Sequence, residues 1–379
     1  MKRTRRIHPA LLLTLSVLTL LAAGCNRNKA KEENKESNVE MRHARYLDIT
    51  EHEGWTEVEI SDPWHKGKRL AKYLLVDSGQ PIPGNMPEGI MVRTPLKNAM
   101  VASSVHISLL QELGAENAIG GVCDLSYINI PAIQAYASSG RIKDCGSSMN
   151  PTIESVIELQ PDALLLSPYE NSGSFGKVGK LGIPIIECAD YMENGPLARA
   201  EWMKFYGRLF GCKEKADSLF SEVEKSYISL KEKSAKSGKG LKTLVNTPIS
   251  GIWYIPGGES TTGLIIKDSG ADYPWSDDTT NGAMQLSMES VIDKALDADI
   301  WIFSYNSPTP LTLEQMKKEN SRYAGFKAFR EGNVWGCNTS HSKYFEEIPF
   351  HPDRLLRDIF IITHPGLTQD TTVYYKRLN

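Results

Sequence analysis

Lys213 to Lys233 reads as one uninterrupted amphipathic helix, and no other stretch constrains the fold as strongly. Ala216, Leu219, Phe220, Val223, Tyr227 and Leu230 recur every three or four positions, while charged side chains fill the opposite face. A helix of that length reaches about 30 Å, the width of a small domain. Gly211 ends the preceding helical pattern, Pro196 to Phe210, and Ser234 to Gly240, built only of Lys, Ser, Gly and Ala, breaks the pattern on the far side. The boundary between an N-terminal body, 44–212, and a C-terminal body, 234–379, therefore falls on the rod 213–233.

Each body alternates short apolar runs with helical segments, the signature of a parallel sheet. In the first, Ala99–Ala102, Ala118–Val122, Ala163–Ser167 and Pro184–Cys188 read as strands, with helices at Ser104–Leu113 and Thr152–Leu159. In the second, strands fall near Leu241–Asn246, Ile252–Ile255, Ile300–Ser304 and Asn333–Gly336. Ahead of both, Thr56–Ile60 and Leu70–Val76 alternate polar and apolar residues, as antiparallel edge strands do. The tetrapeptide Glu-Ser-Val-Ile occurs at 154–157 and again at 289–292, and each copy opens a helix that leads through an Asp, Asp162 or Asp299, into an apolar strand. Matched downstream order points to two similarly built halves. The fold class is α/β: two Rossmann-like lobes with central, mainly parallel sheets joined by one long α-helix, plus N-terminal edge β-strands.

The N-terminus carries an address. Lys2, Arg3, Arg5 and Arg6 precede an apolar run, Ala10–Ala23, that ends in small residues, so residues 1–24 read as a signal peptide; the run is too short to span a bilayer. Leu21-Ala22-Ala23-Gly24-Cys25 looks like a bacterial lipobox, with cleavage before a lipid-carrying Cys25. An ordinary secretory peptide with an incidental cysteine is the alternative, and Ala22 stands where Leu is commoner. Residues 25–43, rich in Asn, Lys and Glu, read as a flexible tether with too little apolar surface to fold. These features place the chain in the periplasm or cell envelope, held at a membrane through its lipid. Of 43 Lys and Arg against 46 Asp and Glu, four basic residues lie in the leader, so the processed chain carries a formal −7 in place of −3. That balance argues against nucleic-acid binding. Beyond Cys25 there are five cysteines at scattered spacing, at 123, 145, 188, 212 and 337. They read as small core residues, with a Cys123–Cys145 bridge as the alternative.

Several segments in fixed order resemble the periplasmic-binding-protein family that serves siderophore, haem and vitamin B12 importers. They are Leu109-Leu110-Gln111-Glu112-Leu113-Gly114-Ala115, Ile119-Gly120-Gly121-Val122, Pro151-Thr152-Ile153-Glu154 leading to Leu159-Gln160-Pro161-Asp162, then Gly270-Ala271-Asp272-Tyr273 and Leu286-Ser287-Met288-Glu289. Pro352-Asp353-Arg354-Leu355-Leu356 with His364-Pro365 closes the series. The resemblance covers roughly 95–367 and implies two lobes on a single-helix hinge, a ligand held between them, and little movement on binding. It further implies that Glu154 and Glu289 present one carboxylate per lobe to the permease dimer of an ABC transporter with its ATPase. A helix-start glutamate favoured by the macrodipole is the structural alternative.

In doubly wound sheets ligands sit beyond the carboxyl ends of the strands. The cleft candidates are therefore Ser103–His106, Asp124–Tyr127, Pro168–Glu170, Tyr254, Tyr305 and His341–Phe345. Among and near these, Tyr127, Tyr169, Trp253, Tyr254, Trp275, Tyr305 and Tyr344 supply flat rings suited to a bulky chelate, a ferric siderophore, haem or cobalamin, in preference to a bare ion. His106 is either a helix-face residue or an axial ligand to haem or cobalamin; no direct metal site is read. Gly257–Gly263 lacks the Gly-Lys-Ser/Thr ending of a phosphate loop, and neither Gly-x-Ser-x-Gly nor His-Glu-x-x-His occurs. The chain thus reads as a monomeric binding protein with no catalytic cofactor. A lipid-anchored chelate-processing enzyme and a sensor or assembly protein on the same fold are the competing readings.

Overall fold

The alternating stretch that opens the folded chain becomes a five-stranded sheet of its own in the computed structural model, which describes residues 37–84, 86–170 and 175–379. The leader, Cys25 and the tether up to Glu36 lie outside the described residues. Strands β1 (Ser37–Val39), β2 (Leu47–His52), β3 (Trp55–Ser61), β4 (Arg69–Asp77) and β5 (Ile90–Thr94) pair in that order, antiparallel except for the parallel β4–β5 pair. Period-two alternation buries Leu47, Ile49, Val58, Ile60, Tyr73, Leu75 and Val92. It leaves Lys72 outside, between Glu57 and Glu59 at 2.7 and 3.2 Å. Thr56–Ile60 and Leu70–Val76 are not edge strands, as the pattern suggested: β3 and β4 lie inside a sheet of their own, between β2 and β5. Alternation reports a strand with one wet face, not which sheet it joins.

The fold also begins earlier than composition indicated. Glu201 is fully buried, and its carboxylate accepts hydrogen bonds from the backbone N–H of Arg42, His43 and Ala44 at 3.0, 2.7 and 2.9 Å and from Lys204 at 2.8 Å. Glu193 holds the N–H groups of Arg45 and Tyr46 and the indole of Trp202 in the same way. Residues 37–43, assigned from sequence to the flexible tether, are therefore part of the folded body: β1 pairs with β2, and two carboxylates far downstream satisfy the backbone that follows it.

In the N-terminal lobe β6 (Ala99–Val101), β7 (Ile119–Val122), β8 (Lys143–Asp144), β11 (Ala163–Leu166) and β12 (Ile185–Glu187) form an all-parallel sheet in the order β12-β11-β6-β7-β8. Two-residue strands β9 (Gly146–Ser147) and β10 (Asn150–Pro151) make a small hairpin after β8. Strand β12 is an edge, and unpaired edge groups invite foreign pairing. Here Tyr73 closes it, donating to the Ile185 carbonyl at 3.0 Å and accepting from the Glu187 N–H at 2.8 Å.

The C-terminal lobe carries β13 (Thr243–Val245), β17 (Ile300–Tyr305) and β18 (Val334–Asn338) in parallel, with β19 (Lys376–Arg377) antiparallel to β18. Its second sheet, β14 (Pro248–Ile249), β15 (Ile252–Pro256) and β16 (Ala283–Leu286), is antiparallel, so Ile252–Ile255 joins a separate layer from the one its apolar run suggested. The Glu-Ser-Val-Ile echo is structural. Asp162 immediately precedes β11, and its carboxylate accepts from the N–H groups of Lys97 and Asn98, just before β6. Asp299 immediately precedes β17 and accepts from the N–H of Lys242, just before β13. Each Asp clamps the amino ends of two neighbouring parallel strands.

The connecting helix runs over Lys213–Lys236 and packs against both Met203–Leu209 of the first lobe and Pro352–Thr363 of the second. A Cβ on Gly207 would lie 2.4 Å from that of Ala216, so only glycine allows this helix approach. At the other end Tyr227 donates to Asp268 at 2.8 Å and Lys231 pairs with the same carboxylate at 2.9 Å. His364 stacks on Phe360 and its Nε2 lies 3.3 Å from the Gly238 carbonyl, closing the exit of the helix. Glu201→Ala is expected to lower stability by roughly 3–5 kcal/mol, because Lys204 and three amides lose a buried partner. Urea unfolding measures this, and Glu201→Gln, which keeps an acceptor, is expected to cost less.

Candidate functional site

Parallel strands place their carboxyl ends, and the loops that follow them, on one side of each lobe, and there the described residues form a cavity of about 300 Å³. Its lining comes from the ends of β6, β7 and β11 and from the β9–β10 hairpin. Ala102 and Cys123 form the floor, and Ser103, Ser104, Ser148 and Ser167 offer hydroxyls. Tyr127 and Met149 stand at the mouth, 85% and 70% exposed. Ser103 also caps the helix Ser104–Leu113 by accepting from the Val105 N–H.

Asp124 is the one ionisable carboxylate on this lining. It adopts a left-handed backbone, φ 50°, a conformation short polar side chains tolerate. Its N–H donates to the Gly146 carbonyl at 2.7 Å and its Oδ2 accepts from the Ser148 N–H at 3.0 Å. The loop after β7 and the hairpin after β8 are thereby fixed to each other. Burial pushes the Cys123 thiol up to about 12, with Cys145, Asp124 and Asp144 adding to the shift, and Cys145 rises to about 11. Both stay protonated at neutral pH, which suits neither a nucleophile nor a thiolate ligand. All five described cysteines are free, so the alternative Cys123–Cys145 bridge is not formed.

The lobes meet at several points. Asn129 Nδ2, in the loop after β7, donates to the Ser340 carbonyl after β18 at 2.9 Å, and Asn281 Nδ2 donates to Asn194 Oδ1 after β12 at 2.7 Å. Behind them Glu112 receives His351 at 2.6 Å and Arg354 at 3.5 Å, and Phe350 of the second lobe packs on His106 and Tyr206.

Of the aromatic candidates, Tyr127 lines the cavity; Tyr169 is 45% exposed at the end of β11, outside the lining. The others go elsewhere. His106 is 3% exposed, with Nε2 2.9 Å from Asp190, so it cannot serve as an axial ligand in this arrangement. Arg199 and Tyr206 complete that network at 2.8 Å each. Burial alone would raise the Asp190 carboxyl, but His106 and Arg199 beside it hold it well below the ordinary range. Trp253 is fully buried, donates to the Val245 carbonyl and packs on Trp301 and Phe326. Trp275 is buried against Tyr273. Tyr344 lies 3.3 Å from Tyr375 through their hydroxyls, Tyr305 accepts from the Leu311 N–H, and Tyr254 is half-buried on the antiparallel layer. Sequence reasoning missed Met149 and Ser148. Their signal was the turn-rich run Gly146–Asn150 directly after a strand end.

Among the described residues no group of three or more His, Cys, Asp or Glu side chains is arranged to hold a metal ion, and no helix is long and apolar enough to cross a membrane. Glu154 and Glu289 are both exposed in the first turns of Ile153–Leu159 and Met288–Ala295, and Glu289 pairs with Arg322 at 2.9 Å.

A family model described as periplasmic binding protein matches residues 101–339, more than half of the chain, and the chain belongs to that family. It is a solute-binding protein of the ABC-importer type. An uncharacterized lipoprotein of Methanocaldococcus jannaschii is 26% identical over 309 residues, 78% of this chain and 72% of that protein. A periplasmic binding protein from Veillonella parvula superposes with a TM-score of 0.58 at 16% identity, covering 85% of this chain and 95% of the other. The triscatecholate siderophore binding protein of Bacillus subtilis, complexed with ferri-bacillibactin, gives 0.52 at 16% identity over 72% and 94%. Identities this low speak to the fold.

Glu187, at the carboxyl end of β12, is raised to about 7 by burial, and its Oε2 has no hydrogen-bond partner. Its folded value lies above the ordinary 4.5, so the unfolded chain ionises first as pH rises. Stability is expected to fall between pH 4.5 and 7. Glu187→Gln is expected to remove that slope and to gain up to roughly 3 kcal/mol above the folded value. Thermal melts from acid to neutral pH, variant against parent, measure it.

Proposed function

We propose that this chain is a lipid-anchored substrate-binding protein that captures a metal chelate, a ferric siderophore, haem or cobalamin, between its lobes and delivers it to an ABC permease. The observation that carries the reading is the cavity at the carboxyl ends of β6, β7 and β11, one wall of which, Tyr127 and Ile128, belongs to the loop that reaches the second lobe through Asn129 and Ser340. Ligands of open α/β sheets bind at that position. An opening of about 300 Å³ in one lobe suits part of a bulky chelate, with the rest lying against the exposed Tyr127 and Met149.

The lobes' stiffness follows from their contacts. A helix packed on both bodies, with Glu112, His351 and Arg354 bridging them, resists the hinge closure seen where flexible strands connect two domains. Delivery then depends on the permease engaging the lobe tips. Glu154 and Glu289 stand exposed at related places in the two echoing halves, where complementary arginines would orient the complex. The lipoprotein relative supports the membrane anchor at Cys25, and the siderophore-binding neighbour supports the chelate class.

The absorption spectrum of protein purified from its native host tests the cargo: a Soret, corrin or ferric charge-transfer band is expected, and a featureless visible spectrum in iron- and cobalt-replete cells counts against a chelate. The double variant Glu154→Ala with Glu289→Ala is expected to keep cargo affinity and lose uptake. Unchanged uptake would remove the docking assignment.

A further inference from the structure

We infer that the cleft selects an uncharged or cationic chelate and rejects polyanionic ones, with Asp124 as the residue that sets this preference; the inference rests on the chelate-binding reading above. It comes from where charge is and is not. The described residues of the loops that follow the parallel strands are 102–104, 123–130, 145–150, 167–170 with 175–177, and 188–195 in the first lobe, and 246–251, 306–312 and 339–343 in the second. Among them the only Lys or Arg are Lys177 and Lys343, both exposed and neither on the cavity lining. Basic side chains gather at the opposite ends of the strands: Lys97 precedes β6, Lys242 precedes β13, and Arg141 before β8 is spent on Glu116 and Asn117.

On the cavity wall itself the balance is negative. Asp124 is half-buried and spends Oδ2 on the Ser148 N–H, while among the described residues Oδ1 accepts no hydrogen bond. A carboxylate fixed by the backbone, with one oxygen free, accepts N–H or O–H donors or pairs with a cation. Beside a trianion the same oxygen is repelled, and no lysine or arginine on the lining offsets the repulsion. The remaining lining is hydroxyl, thiol and apolar: four serines, then Cys123, Ala102, Tyr127, Ile128 and Met149. This surface fits the amide, hydroxyl and alkyl exterior of a hydroxamate-type ferric chelate or a corrinoid. It fits poorly the charged exterior of a tris-catecholate complex or the propionates of haem.

The test uses the full chain in detergent, titrated calorimetrically with four probes: a ferric trihydroxamate bearing a free ammonium, cyanocobalamin, ferric tris-catecholate and haemin. One of the first two is expected to bind at least about a hundredfold more tightly than either of the last two. Asp124→Asn keeps an acceptor for Ser148 and is expected to weaken the ammonium-bearing probe about tenfold more than it weakens the neutral one. Met149→Lys, at an exposed position, is expected to improve tris-catecholate binding. Tighter binding of the tris-catecholate or haemin by the parent, or indifference of every probe to both variants, overturns the charge preference and leaves the chelate reading standing. Binding of none of the four overturns both.

Discussion

The helix Lys213–Lys236 is the element on which the two halves depend, because it is packed on both at once. Gly207 lets it approach the first lobe to backbone contact, and Asp268 of the second lobe receives both Tyr227 and Lys231 from its far end. A rod held along its length cannot act as a free joint. The Glu112–His351–Arg354 cluster and the packing of Phe350 on His106 add contacts on a different face, so the lobes are related by more than their covalent link.

The rigidity we propose decides how binding energy is used. A pre-formed cleft spends little on rearrangement, so affinity follows from the fit of shape and charge at the loop ends. The structure invests accordingly. Asp124 ties two loops together, Asp162 and Asp299 pin the opposite strand ends, and Tyr73 seals the edge of β12. The N-terminal sheet is attached through Glu193 and Glu201, whose buried carboxylates replace water around the backbone of residues 42–46.

Much of the architecture was legible because it is written in periodicity. The long helix, the four apolar strands of the first lobe and the Glu-Ser-Val-Ile echo all appear close to their sequence-read positions, since burial on one stripe or on both faces of a sheet leaves a pattern along the chain. The candidate site was legible only to the level of which loops form it. Whether Trp253 faces a cleft or a core depends on a strand register that one residue reverses, and it turned inward, while Trp275 sits in a turn and packs on Tyr273. His106 looked the same as a ligand or as a partner for Asp190, because Asp190, Arg199 and Tyr206 come from a distant stretch. The start of the fold was misplaced for a related reason: residues 37–43 bury little apolar surface and are held by backbone hydrogen bonds that composition does not record.

Rigidity of the two-lobed body is measured most directly by electron–electron spin distances between labels on the exposed Glu158 of the first lobe and Asp293 of the second. Recording them in free protein and with saturating cyanocobalamin or ferric trihydroxamate, we expect one narrow distance that changes by less than about 2 Å on binding. A broad distribution in the free protein, or a shift of many ångströms on loading, would show that the helix and its flanking contacts do not hold the lobes in place.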